Sequence, residues 1–174
     1  MTAKNKVLKK KCIDVKVVIT DVDGVLTDGG MFYSTNGEML KKFHARDGMG
    51  IAILQRNGIP TVIITKEKSE IVKKWASKMK VDKLFQGIKK KETLLIKLCD
   101  HYNLNEENIA YIGDDVNDLE IMKKIGFSVT PKDGNIEVKK IANYISKING
   151  GEGVLREICD LLILTKFGNK KKLY

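Results

Sequence analysis

Val15-Lys-Val-Val-Ile-Thr-Asp21-Val-Asp23-Gly-Val-Leu-Thr-Asp28 is the stretch whose reading decides the fold. Its first six residues are a nearly unbroken apolar run, the pattern of a strand buried on both faces of a parallel sheet. The run ends on two carboxylates and a glycine. Buried carboxylates must be paired or bound to metal, because an isolated buried charge is very unfavourable. Alternate residues at a strand end point the same way, so Asp21 and Asp23 can face one site while Gly24 lets the backbone turn tightly.

Outward from that strand, helical and strand patterns alternate. Asn36-Gly37 between two strand-like runs predicts a hairpin over 31–43. A helix is expected over 47–57, with Met49, Ile51, Ile53 and Leu54 supplying its apolar face and Gly58 stopping it. Ile59 to Thr65 reads as a second buried strand, Glu67 to Met79 as an amphipathic helix, and Lys83 to Phe85 as a short strand. A helix over 89–102, a strand Ile109 to Gly113, and a short helix over 118–124 follow. Phe127 to Val129 and Tyr144-Ile145 are extended, with helices over 135–141 and 154–164. This alternation is the signature of an α/β fold with a parallel sheet. One domain over 13–165 is expected, flanked by basic, flexible ends at 1–12 and 166–174.

The chain has 174 residues, 43% hydrophobic and 31% charged, which fits a globular protein with a substantial core. No apolar run approaches the roughly 18 residues of a membrane-spanning helix, so no membrane association is expected. No small-residue cleavage site follows the basic start, which argues against a signal peptide. Cys12, Cys99 and Cys159 lie far apart with no Cys-x-x-Cys pair, as expected of reduced packing thiols in a cytoplasm. Much of the net charge of +10 sits at the two ends, without the patterning of a nucleic-acid-binding module. No nucleic-acid partner is expected; a basic surface would instead steer a small anionic substrate.

Ligands of open α/β sheets bind beyond the carboxyl ends of the strands. Asp21 and Asp23 end the first strand, Thr65 ends the second, Lys91 lies beyond the third, and Asp114 and Asp115 end the fourth. Several carboxylates in one crevice repel unless a hard cation sits among them, and Mg²⁺ takes oxygen ligands. A lysine and a hydroxyl nearby are what a phosphoryl group needs. Asp21 is therefore read as the nucleophile that becomes an aspartyl-phosphate, and Asp23 as the acid/base. Mg²⁺ and Lys91 would stabilise the developing charge.

These four motifs resemble those of the haloacid dehalogenase superfamily of phosphatases. Phe43-His-Ala-Arg-Asp-Gly48, Phe85-Gln-Gly87 and Gly150-Gly-Glu-Gly-Val-Leu-Arg-Glu157 narrow the resemblance to the 3-deoxy-D-manno-octulosonate 8-phosphate phosphatase family. The resemblance runs from about Ile13 to Leu164. It implies a Rossmann-like three-layer domain without a cap, a homotetramer and Mg²⁺ dependence. It also implies a sugar-acid phosphate substrate on the way to lipopolysaccharide or another surface glycan. By the same resemblance Asp21, the Asp23 carbonyl and Asp114 hold the metal, while Thr65 and Lys91 hold the phosphate. Asp115, Asn117 and Asp118 would support them from behind. Asp23 and the segment His44, Arg46, Asp47 and Gly48 would contact substrate. The absent cap implies that a neighbouring subunit covers the site, with the hairpin at 31–43 and the 150–156 segment carrying Arg156 as candidates.

The chain departs from the family at Thr65-Lys-Glu-Lys68, where Thr-Gly-Arg is frequent, and at Glu152, where arginine is common. Lys66 or Lys68 does not reproduce an arginine's bidentate grip on a carboxylate. Glu67 and Lys78 resemble a sister group acting on nine-carbon 2-keto acid 9-phosphates. The eight-carbon substrate is preferred on overall similarity, with the nine-carbon one as the alternative. A non-catalytic oligomerisation domain, of the kind fused to acylneuraminate cytidylyltransferases, is a further alternative.

Overall fold

The computed structural model describes residues 3–173. A six-stranded parallel sheet forms the middle layer. Its strands are β1 (Val17–Thr20), β4 (Thr61–Ile64), β5 (Lys83–Phe85), β6 (Ile109–Ile112), β7 (Phe127–Thr130) and β8 (Tyr144–Ile145), in the order β5-β4-β1-β6-β7-β8. A separate two-stranded hairpin, β2 (Phe32–Ser34) and β3 (Gly37–Leu40), lies between β1 and the next helix. The helices are α1 (Ala3–Asp14), α2 (Ala45–Arg56), α3 (Glu70–Lys78), α4 (Leu95–Tyr102), α5 (Leu119–Met122), α6 (Ile136–Ile141) and α7 (Val154–Phe167).

The period of two along each strand sorts the core into two halves. Val18, Ile63, Ala110 and Ile112 join a cluster with Ile51 and Leu54 of α2, Val72 of α3, and Leu155, Ile158 and Leu162 of α7. Val17, Ile19, Val62, Ile64 and Tyr111 point the other way, onto Leu95 and Leu98 of α4, Ile121 of α5 and Val138 of α6. Both faces of the sheet are covered, which is why its strands read as continuous apolar runs. Cys12 and Cys159 are buried in the first cluster, as small apolar packing residues.

The chain builds from β1 toward β5, then crosses back to place β6 on the other side of β1. That reversal opens a crevice at the carboxyl ends of β1, β4 and β6, where α/β sheets bind ligands. The carboxylates read from the sequence stand there.

Four expectations are corrected. The basic N-terminal segment is not a flexible end: from Ala3 it forms α1, which docks through Leu8 and Cys12, four residues apart and so on one helical face. Lys11 Nζ donates to the Gly126 carbonyl at 2.5 Å, and Lys166 Nζ to that of Val15 at 2.7 Å. The C-terminal tail is also tied down, because α7 runs to Phe167 and Lys172 exchanges hydrogen bonds with the Asn57 side chain at 2.7 and 3.1 Å. Met49 is exposed, so the apolar face of α2 is carried by its neighbours. The helix expected from Lys89 opens as a 3₁₀ turn over Lys91–Leu94, in which the Lys91 side chain is drawn into the core by two carboxylates.

Candidate active site

β1 delivers Asp21 and Asp23 to the floor of a crevice of about 360 Å³. Gly24 follows with φ +83, and a Cβ there would lie 1.9 Å from Asp114 Oδ2. Only glycine lets the loop after β1 come this close to the acidic residue after β6. Thr65 enters from the end of β4, and Lys66, Glu67, Asp115 and Asn117 complete the polar lining. Met31 reaches in from the hairpin side.

Asp21 is 5% exposed. Its Oδ1 accepts the Val22 amide at 2.7 Å, and its Oδ2 accepts from the Lys91 ammonium. Lys91 is wholly buried behind Asp21 and does not itself line the crevice. Its second partner is Asp118 Oδ1 at 2.7 Å, which also accepts the Tyr111 hydroxyl at 2.6 Å. The Asp118 Oδ2 accepts the amides of Asp114 at 2.9 Å and Asp115 at 3.4 Å. Burial pulls the Lys91 ammonium toward neutrality, but the charges of Asp21 and Asp118 outweigh it and its pKa is raised. Lys91 therefore stays a cation beneath the crevice.

Burial pushes the Asp21 carboxyl up to about 7; Asp118 adds to this and Lys91 opposes it. Burial, then Asp21 and Asp118, push Asp114 up to about 8. Carboxylates crowded this way are relieved by a cation between them. Oxygens of Asp21, Asp114 and Asp118 come within 4.8 Å of one another. Asp118 is already saturated by its four donors, which leaves Asp21 and Asp114 as the available acidic ligands. Among the described residues the Asp23 carbonyl accepts no hydrogen bond, so it too is free to coordinate. An all-oxygen set with two anions suits a hard divalent ion such as Mg²⁺.

Asp23 lines the crevice, and its side chain is 23% exposed. Its Oδ1 accepts from Lys41 Nζ at 2.5 Å and from the Thr27 hydroxyl at 3.4 Å. Lys41 is a residue the sequence reading missed. No local pattern separates it from Lys42, since it lies beyond the end of β3 and its alternate neighbour Met39 is exposed.

The structure thus gathers Asp21, Asp23, Thr65, Glu67, Asp114, Asp115 and Asn117 at one crevice, with Lys91 and Asp118 beneath it. The other expected residues lie elsewhere. Asp47 and Gly48, read as substrate contacts, are buried. The Asp47 side chain is 0% exposed, and its Oδ1 accepts the Arg156 amide at 2.9 Å. Because the N-cap of α7 is Gly153, which has no side chain, Asp47 caps that helix from α2. Among the described residues its Oδ2 has no partner, and burial pushes its pKa up to about 6 against the two backbone amides.

His44 caps its own helix, its Nδ1 accepting the Arg46 amide at 3.3 Å. Arg46 and Arg156 line a second cleft together with Glu152 and Asp160, and the Arg156 Nε donates to Asp160 at 2.9 Å. Lys78 is exposed in the last turn of α3, eight steps of about 1.5 Å or roughly 12 Å from the helix start. Within one chain it does not line the crevice.

The 150–153 segment is braced against its own chain. A Cβ at Gly150 would lie 2.1 Å from the Gly24 carbonyl oxygen, and the Gly151 amide donates to Val25 at 2.9 Å.

Comparison with known proteins follows the same lines. The model of the haloacid dehalogenase-like hydrolases matches residues 63–158. The 3-deoxy-D-manno-octulosonate 8-phosphate phosphatase KdsC of Escherichia coli K12 is 38% identical over 90% of this chain and 83% of the relative. The cobalt-bound deoxy-D-mannose-octulosonate 8-phosphate phosphatase from Haemophilus influenzae superposes with a TM-score of 0.87 at 36% identity, covering 90% of this chain and 91% of that one. The Moraxella catarrhalis enzyme, crystallised with a magnesium ion, a phosphate ion and a KDO molecule, gives a TM-score of 0.89 at 32% identity, covering 93% and 92%.

Proposed function

The chain belongs to the haloacid dehalogenase-like hydrolase family, and from that premise we propose that it is a Mg²⁺-dependent phosphatase of 3-deoxy-D-manno-octulosonate 8-phosphate. The observation that carries the reading is Asp21 at the end of β1, backed by the buried Lys91, with Asp114 across a crevice that Asp23 also lines. The match to a relative of that substrate over nine-tenths of the chain supports the sugar.

The residues act in two half-reactions. The Asp21 carboxylate attacks phosphorus while the bond to the sugar oxygen breaks, and Asp23 gives its proton to that oxygen. The sugar acid leaves, and the phosphoryl group stays on Asp21. Asp23, now ionised, takes a proton from water as it attacks phosphorus, and the Asp21 carboxylate is released with free phosphate. Lys91 holds Asp21 in place and supplies positive charge under the phosphoryl oxygens, with Thr65 beside them. Mg²⁺, held by Asp21, the Asp23 carbonyl and Asp114, would neutralise part of the charge that builds on the transferring group.

We infer a homotetramer, supported by the exposed apolar side chains Met31, Phe32, Tyr33, Met39 and Leu40 on and beside the hairpin. A cytoplasmic enzyme supplying a surface-glycan precursor fits the substrate. Arg46, His44 and Arg156 would reach substrate only through such an assembly, since within one chain Arg46 and Arg156 flank the second cleft. Glu67 at the crevice is the feature that favours the nine-carbon alternative. Phosphate release from eight- and nine-carbon 2-keto acid phosphates separates them: the eight-carbon ester is expected to give the higher kcat/KM, and a tenfold preference for the nine-carbon ester reverses the assignment.

A further inference from the structure

Lys41 is a buried cation that the reaction just described does not use. Its side chain is 1% exposed, whereas neighbouring Lys42 is 64% exposed and pairs with Asp28 at the surface. Lys41 Nζ lies 2.5 Å from Asp23 Oδ1 and 3.0 Å from Glu38 Oε1. The other Glu38 oxygen accepts the Ser69 hydroxyl. Ser69 is the N-cap of α3, its own hydroxyl accepting the Val72 amide at 3.3 Å, and its backbone amide donates to Gln86 Oε1 at 2.7 Å. The stack of Phe43 on Trp75, with ring centroids 4.4 Å apart, seats the base of the hairpin on the same helix. A continuous polar chain therefore runs from α3 through the hairpin to Asp23.

A buried ion pair is weak evidence for stability, because desolvation offsets much of its attraction. A lysine sunk between two carboxylates at the edge of a crevice points instead to a task there. Asp23 shows what it is. Its Oδ1 is held by Lys41 and Thr27, while among the described residues its Oδ2 has no hydrogen-bond partner. One oxygen is anchored and the other is left for the substrate.

Resting on the phosphatase reading, we propose that Lys41 is the positioning residue of Asp23: it fixes the carboxyl by Oδ1 so that Oδ2 meets the leaving oxygen, and with Glu38 and Ser69 it ties that placement to the seat of the hairpin. In the first half-reaction the proton moves from Asp23 Oδ2 to the departing oxygen, which keeps the electron pair of the broken P–O bond. In the second, a water proton returns to Oδ2 as the water oxygen bonds phosphorus and the Asp21–phosphorus bond breaks. Lys41 keeps its protons throughout.

Dependence on the leaving group tests the assignment, because an acid that is out of place harms only esters whose alcohol leaves poorly. Lys41→Met is compared with the unmodified enzyme on p-nitrophenyl phosphate, a good leaving group, and on a primary alkyl phosphate, a poor one. General acid catalysis contributes roughly 10²–10⁴-fold, so the alkyl ester is expected to lose at least about tenfold more kcat/KM than the nitrophenyl ester. In an Asp23→Asn background Lys41→Met is expected to add no further loss, since the group it positions is gone. Equal losses on the two esters, or an additive loss in that background, overturn the assignment. Should Lys41→Met fail to fold, Lys41→Arg is read in the same way. The longer guanidinium displaces Asp23 and gives a leaving-group-dependent loss, and parity with the unmodified enzyme overturns the proposal. An unmodified protein that hydrolyses none of these esters overturns the phosphatase reading instead.

Discussion

Asp118→Ala is expected to be among the most damaging single substitutions, although Asp118 never touches the crevice. Four donors converge on its two oxygens: Lys91, Tyr111 and the amides of Asp114 and Asp115. The residue is 0% exposed. Removing the carboxylate takes one of two counter-charges from a buried ammonium, and breaking a buried pair in this way costs about 3–5 kcal/mol. The Tyr111 hydroxyl, fully buried, is stranded as well, at roughly 1–3 kcal/mol. One effect runs the other way. Asp118 raises the pKa of both Asp21 and Asp114, so its loss relieves repulsion there. Asp21 remains to compensate Lys91, and the relief is shared with the other groups that crowd Asp114. A net loss of about 3–5 kcal/mol is therefore expected. In a domain of this size each kcal/mol moves the unfolding temperature by roughly 2–4 °C, so thermal unfolding should shift down by about 6–20 °C. The assay is calorimetric or circular-dichroism melting at neutral pH, with chemical denaturation as a check that the transition stays two-state. A shift under about 3 °C would refute the view that Asp118 organises the floor of the site.

Three further outcomes are expected. Asp47 has a folded-state pKa raised from 3.8 to about 6, so its ionisation opposes folding: its contribution is best below about pH 4 and is lost as pH rises toward 6. Denaturation of the unmodified protein and Asp47→Asn across this range should show the former gaining roughly 2 kcal/mol relative to the variant as pH falls from 7 to 4, and a parallel pair of curves would contradict the buried cap. Calorimetric titration with Mg²⁺ should give tighter binding at pH 8 than at pH 6, because carboxyls raised to about 7 and 8 must shed protons to coordinate it, and equal affinity at the two pH values would remove Asp21 and Asp114 as ligands. Phe32→Glu, on the exposed face of the hairpin, should lower the oligomeric state read by light scattering, and an unchanged mass would move the assembly surface elsewhere.

Asp21, Asp23, Thr65 and Asp114 were legible in the sequence because a parallel sheet converts chain order into place: each ends a strand, and every strand ends on the same edge. Contacts between distant residues were not. Asp47 and Arg156 are separated by 109 positions, and nothing in His44-Ala-Arg-Asp-Gly48 announces that its acid caps a helix formed at the other end of the chain. The signal lay in Gly153 instead, which leaves the start of α7 without a cap of its own. Lys41 and Asp23 are 18 positions apart, and only the folded hairpin turns one lysine of Lys41-Lys42 inward. Helix α1 was obscured by its lysines, which outnumber the two residues, Leu8 and Cys12, that dock it. Lys78 was expected from resemblance alone, and within one chain it does not line the crevice.

The claim on which the rest depends is that Asp21 takes the phosphoryl group. The most direct measurement is phosphate release from 3-deoxy-D-manno-octulosonate 8-phosphate by Asp21→Asn in the presence of Mg²⁺, with folding checked by melting. The variant keeps the shape and most of the hydrogen bonding of the site but removes the attacking charge. It should stay folded and lose at least about a thousandfold in kcat, the scale on which removing a nucleophile registers. Turnover within tenfold of the unmodified enzyme would contradict the account.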